Sequence, residues 1–216
     1  MDIWLDTTDI KTITLGSKLG ILSGVTTNPS LIAESEKTLE ENIDTILRSQ
    51  SGPMTVQVTA VDHSGIIEQA ESLRDYSDRI IVKIPVTQEG LKAMESLSHL
   101  HFPMMATAIF TPYQALFACH AGASFLAPYY SRISSPLDAL EGIILMLDRY
   151  GFEAELVVAS LKTEDHILDC FQLGIDAITL KQELFEKFIA DQSGTFEALD
   201  RFSKDWKKAK PSRLLQ

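Results

Sequence analysis

Residues Ile80 to Thr87 read "IIVKIPVT", a β-branched run with a lysine in its middle and a proline near its end. The run has strand propensity, and it is apolar on both sides, as in a parallel sheet covered by helices on both faces. Side chains alternate along a strand, so Lys83 shares a face with Ile81 while Val82 and Ile84 take the other. Burying an unpaired ammonium among such neighbours costs several kcal/mol. A lysine in a sheet edge can snorkel to water, but these apolar neighbours leave little room for an exposed edge. Desolvation depresses a lysine's pKa and leaves a neutral amine able to attack a carbonyl and form a Schiff base. The protonated imine is then an electron sink for proton loss or carbon–carbon cleavage beside the former carbonyl carbon.

Similar runs recur on either side. "DIWLD", "GVTTN", "MTVQVT", "PMMATAIF", "SFLAPY", "AELVVAS" and "AITL" bring the strand candidates to eight. Amphipathic stretches lie between them, such as "SGIIEQAESLRDY", with Ile66, Ile67, Ala70 and Leu73 on one face, and "GLKAMESLSHL", with Leu91, Met94 and Leu97 at helical spacing. A βα series fits either an open doubly wound sheet or a closed (β/α)8 TIM barrel. Eight units fill 216 residues as a compact barrel, and "GSKLGILSG" matches neither dinucleotide nor P-loop spacing. We therefore expect one α/β barrel domain over residues 1–216. Residues 192–210 should add a C-terminal helix whose Phe196, Leu199, Phe202 and Trp206 need a partner, such as a neighbouring subunit.

Composition narrows the setting. The chain is 45% hydrophobic and 23% charged, with a formal net charge of −11. That balance suits a soluble domain and argues against nucleic acid and anionic membrane surfaces as partners. Residues 96–131 carry no Asp, Glu, Lys or Arg, but Pro103, Pro112 and Pro128 and the polar residues among them favour buried core over a membrane span. Three aspartates among the first nine residues contradict a secretory signal, and Cys119 and Cys170 lack metal-ligand spacing. A reducing, cytoplasmic location is expected. The five histidines form no triad or HExxH pattern, so no metal site is expected.

In a barrel the chemistry gathers at the C-terminal rim of the strands. The last inward residues there are expected to be Asp6, Asn28, Gln57, Lys83, Thr107, Tyr129 and Ser160, spaced 22 to 31 residues apart. Each also has a plain structural reading. Asn28 before Pro29 is a good N-cap, and Asp6, Gln57, Thr107 and Ser160 serve equally as turn or capping residues. Tyr129 also reads as a core aromatic with its hydroxyl on backbone, and Arg132 as a surface ion-pair partner. Their convergence on one rim favours function. Arg132 and Ser160, near the sixth and seventh strands, suit a phosphate, which such barrels commonly bind at the late strand loops.

These residues resemble a family. "GVTTNPSL" from Gly24 to Leu31 is similar to the transaldolase signature, and "IIVKIPVT", "ATAIF", "AGASFLAPYYSRI" and "ASLKT" follow in the order of the small transaldolase and fructose-6-phosphate aldolase group. The resemblance implies a class I aldolase that needs no cofactor, with Lys83 as the Schiff-base lysine. It implies that Asp6 and Asn28 hold substrate hydroxyls and assist imine formation, and that Thr107 and Gln57 position a water for proton transfer. Thr27 joins the substrate-binding set, and Ser160 with Arg132 binds phosphate.

Transaldolases of this group resemble one another in Glu at position 57 and Phe at 129, whereas the aldolases have the Gln and Tyr found here. A phenol at 129 suits an aldolase, which must protonate its carbanion and release the ketone. The expected reaction is reversible cleavage of fructose 6-phosphate to dihydroxyacetone and glyceraldehyde 3-phosphate, with transaldolase activity as the alternative. Small members of the group form pentamers or decamers, which implies a homo-oligomer. "TPYQ" after Phe110 and "YYSR" depart from the group's pattern and leave donor and acceptor preference open.

Overall fold

Each β-branched run of the sequence becomes a strand, and each amphipathic stretch a helix laid over it. The computed structural model describes residues 1–100 and 102–209. The first half runs β1 (Asp2–Asp6), α1 (Ile10–Lys18), β2 (Gly24–Thr26), α2 (Pro29–Glu34), α3 (Leu39–Ser49), β3 (Met54–Gln57), α4 (His63–Tyr76), β4 (Ile80–Pro85) and α5 (Gln88–Ser98). The second half runs β5 (Met104–Ile109), α6 (Pro112–His120), β6 (Phe125–Pro128), a 3-10 turn (Tyr130–Arg132), α7 (Pro136–Tyr150), β7 (Glu155–Val158), α8 (Glu164–Gln172), β8 (Ala177–Leu180), α9 (Gln182–Phe188) and α10 (Ser193–Trp206). All eight strands are parallel, and β1 pairs with both β2 and β8, closing the (β/α)8 barrel.

The helices start where the sequence supplies an acceptor for their free N–H groups. Asp9, Asn28, Thr38, Asp62, Thr87, Thr111 and Thr163 each cap a helix with a side-chain oxygen, and Pro29, Pro112 and Pro136 open helices whose first N–H has no partner to lose. The strands have two apolar faces, as their composition requires. Val82, Ile84, Ala106 and Leu126 join the helices in the main core, while Trp4, Ile81, Met105, Ala127, Val157 and Ala177 form a separate cluster inside the barrel. Trp4 fills that interior, and the neighbouring strand makes room: Gly24 is its register partner on β2, and a Cβ there would lie 2.6 Å from the Trp4 ring.

Three expected strand ends need correction. Asn28, Tyr129 and Ser160 all lie past their strands, since β2 stops at Thr26, β6 at Pro128 and β7 at Val158. Asn28 instead caps α2, accepting from the Leu31 N–H at 3.1 Å, and the chain turns left-handed at Ser160 (φ 63°). The helix expected over 192–210 is α10, and position 210 lies outside the described residues, as does His101. Phe196, Leu199, Phe202 and Trp206 are all exposed. Cys119 and Cys170 are free and buried, and burial pushes their thiols up to about 11 and about 12. Among the described residues no helix is long and apolar enough to cross a membrane.

Candidate active site

Strand alternation carries Lys83 inward, two residues beyond Ile81 of the interior cluster. It is 3% exposed, and its Nζ donates to the Thr27 carbonyl oxygen at 3.2 Å. Burial holds the amine's pKa below the ordinary lysine value, with the charge of Asp6 acting in the opposite direction. The site therefore has the depressed amine that nucleophilic attack on a carbonyl requires.

Asp6 ends β1 and pairs in register with Thr26. Its Oδ1 accepts from Thr26 Oγ1 at 3.0 Å and from Asn28 Nδ2 at 3.5 Å. Asn28 thus caps α2 with its oxygen and turns its amide nitrogen to the carboxylate. Gln57, half-buried, sits directly beside Lys83 in the β3–β4 register. Thr27, expected in the substrate-binding set, reaches the site through its backbone. It is fully buried and its hydroxyl donates to the Thr55 carbonyl at 2.7 Å, so the group it presents to Lys83 is its own carbonyl.

The opposite wall comes from β5 and β6. Thr107 is buried, and its hydroxyl donates to the Tyr129 hydroxyl at 3.2 Å. Tyr129 is half-buried and follows β6, bridged to Ala159; its hydroxyl meets a side chain rather than backbone. Phe110 meets its ring edge-on at 5.6 Å, and the Arg132 guanidinium stands 5.2 Å from its centroid. The register slips between Thr107 and Ile109, with Ala108 at φ 56°, a bulge that re-aims the end of β5. Ser160 and Ser131 place their hydroxyls 2.8 Å apart, next in sequence to Arg132. The rim therefore gathers an amine, a carboxylate, two amides and a hydroxyl–phenol pair, with serines and a guanidinium along one side.

Three contributors escaped the sequence reading. Thr26 and Thr179 share a bond of 2.7 Å and link Asp6 to β8, and Ser131 pairs with Ser160. Period-2 spacing was the available signal: Thr26 lies two residues before Asn28, and Thr179 lies between the outward Ile178 and Leu180. A cleft of about 390 Å3 reaches Asp6 with Lys37 and Lys181 along it, whereas one of about 470 Å3 lies between α3 and α4. The perturbed amine, not cleft size, marks the chemistry.

A match to the transaldolase/fructose-6-phosphate aldolase family spans residues 3–213. A probable transaldolase of Coprothermobacter proteolyticus is 37% identical over 212 residues, covering 96% of this chain and 97% of that protein. Probable transaldolases of Petrotoga mobilis and Geobacter metallireducens are 35% and 36% identical, covering 96% of this chain and 96% and 99% of theirs. Among solved structures, inosine 5'-monophosphate dehydrogenase of Legionella pneumophila superposes with a TM-score of 0.60 at 18% identity, over 85% of this chain and 58% of that one. That last likeness is one of fold alone.

Proposed function

The chain belongs to the transaldolase/fructose-6-phosphate aldolase family, and from that premise we propose that it is a class I aldolase cleaving fructose 6-phosphate reversibly to dihydroxyacetone and glyceraldehyde 3-phosphate. The observation that carries the reading is the buried, pKa-depressed amine of Lys83, which feels the charge of Asp6 and has Gln57 beside it in register. The amine attacks C2 of the ketose, and loss of water gives the imine, with Asp6 and Asn28 holding hydroxyls. The C3–C4 bond then breaks as the C4 hydroxyl loses its proton. The electron pair passes into the imine to form an enamine, and glyceraldehyde 3-phosphate leaves. Protonation at C3 and hydrolysis release dihydroxyacetone and restore Lys83. Thr107 and Gln57 hold the water for that transfer, Tyr129 supplies the proton, and Ser160 with Arg132 holds the phosphate.

Gln57 and Tyr129 favour the aldolase over a transferase. The second reading rests on the names of the relatives, each a probable transaldolase: the three-carbon unit would stay on Lys83 until a sugar phosphate acceptor took it. The exposed aromatic face of α10 supports assembly as a homo-oligomer, a pentamer or decamer by family resemblance. Borohydride reduction with dihydroxyacetone tests the imine. We expect an adduct on the peptide carrying Lys83 and none in Lys83→Met, and an adduct on another residue would overturn the assignment.

A further inference from the structure

Tyr130 sits between Tyr129 and Arg132, yet it points away from the rim. It is 3% exposed and packed in the main core, and its hydroxyl donates to the Asp169 carboxylate on α8. Its ring lies 4.5 Å from that of His166, whose Nδ1 accepts from the Lys162 N–H at 3.3 Å. Its own N–H donates to the Ala159 carbonyl at 2.9 Å, and its carbonyl accepts from Ile133. Through its backbone N–H and its side chain, this one residue therefore ties together the turn after β6, the loop after β7 and helix α8. That turn and loop carry Tyr129, Ser131, Arg132 and Ser160.

We propose that Tyr130, through its bond to Asp169, is a positioning residue that fixes the Ser131–Arg132 turn against Ser160 and so sets the preference for phosphorylated over unphosphorylated aldehydes. The proposal rests on the aldolase reading above. Tyr130 is no proton donor in the reaction, because burial and the Asp169 carboxylate both raise its pKa and keep the phenol protonated in its bond. The hydroxyl pair of Ser131 and Ser160 is short enough for both to meet one phosphate oxygen only while the two loops hold their spacing. A displacement approaching 1 Å costs on the order of tenfold or more in such a site.

The test compares kcat/KM for aldol addition of dihydroxyacetone to glyceraldehyde 3-phosphate and to glyceraldehyde, in the wild type, Tyr130→Phe, Asp169→Ala and Asp169→Asn. We expect the ratio of the two to fall about tenfold in Tyr130→Phe and Asp169→Ala, mainly through KM for the phosphorylated aldehyde, and to recover in Asp169→Asn, whose amide oxygen still accepts the bond. A merely structural loss lowers both activities together and leaves the ratio unchanged; that result overturns the proposal. If Tyr130→Phe does not fold, the contrast between Asp169→Asn and Asp169→Ala decides in the same way. Borohydride trapping on Lys83 is measured in parallel: no adduct in the wild type defeats the aldolase reading itself, whereas trapping with an unchanged ratio defeats only the role of Tyr130.

Discussion

Burial of Lys83 disfavours its charged form, and this has a cost that can be measured. The folded state lowers the amine's pKa, chiefly by burial, while in the unfolded chain it returns to about 10.4. Between those two values the unfolded state binds more protons, so stability rises with pH across that window, and below it the penalty stays at its full size. Lys83→Met removes the penalty and keeps the apolar stem. We expect its Tm to exceed that of the wild type at pH 7 and the gap to narrow as pH approaches 10; a lower Tm for Lys83→Met at pH 7 would contradict the burial argument. Tyr129 is the second decisive residue. Tyr129→Phe should lower acceptor-free release of dihydroxyacetone by about a hundredfold, the scale of one general acid, while leaving the Lys83 adduct trappable. The single lysine was legible in the sequence because apolar neighbours on both sides are so improbable for it by chance. Thr26 and Thr179 were not, because a threonine in a strand is read as a β-former and its hydroxyl partners belong to other strands.

Among the elements, the strands were legible in number and order, and their ends were not. "GVTTN" reads as strand to Asn28, but pairing stops at Thr26 because Asn28 is drawn into capping α2. Composition marks a β-rich run; it does not mark where the partner strand stops offering hydrogen bonds. Glycine at the start of β2 shows how one strand constrains the neighbour it pairs with. A Cβ at Gly24 meets Trp4, so Gly24→Ala should lose about 1–3 kcal/mol as overpacking, read from urea denaturation. At Ala108 the left-handed backbone is strained for a residue with a Cβ. Ala108→Gly should therefore cost nothing or stabilise slightly in the same measurement, and clear destabilisation would show that the bulge depends on the methyl group.

For the whole molecule, the barrel followed from eight apolar runs at near-regular spacing, while the surface of α10 shows what one chain leaves unfinished. Phe196, Leu199, Phe202 and Trp206 form a helical stripe, each about half exposed, which is more apolar surface than isolated residues account for. If this stripe is an assembly face, Phe202→Asp should move the sedimentation coefficient toward the monomer, and an unchanged coefficient would place the interface elsewhere. As the aldolase proposed above, the barrel would free its three-carbon product without a second sugar. Fructose 6-phosphate supplied alone decides it: we expect dihydroxyacetone and glyceraldehyde 3-phosphate to accumulate over many turnovers per Lys83, and neither to form with Lys83→Met. Release that stops at one equivalent and resumes only on addition of erythrose 4-phosphate would contradict it and establish a transferase.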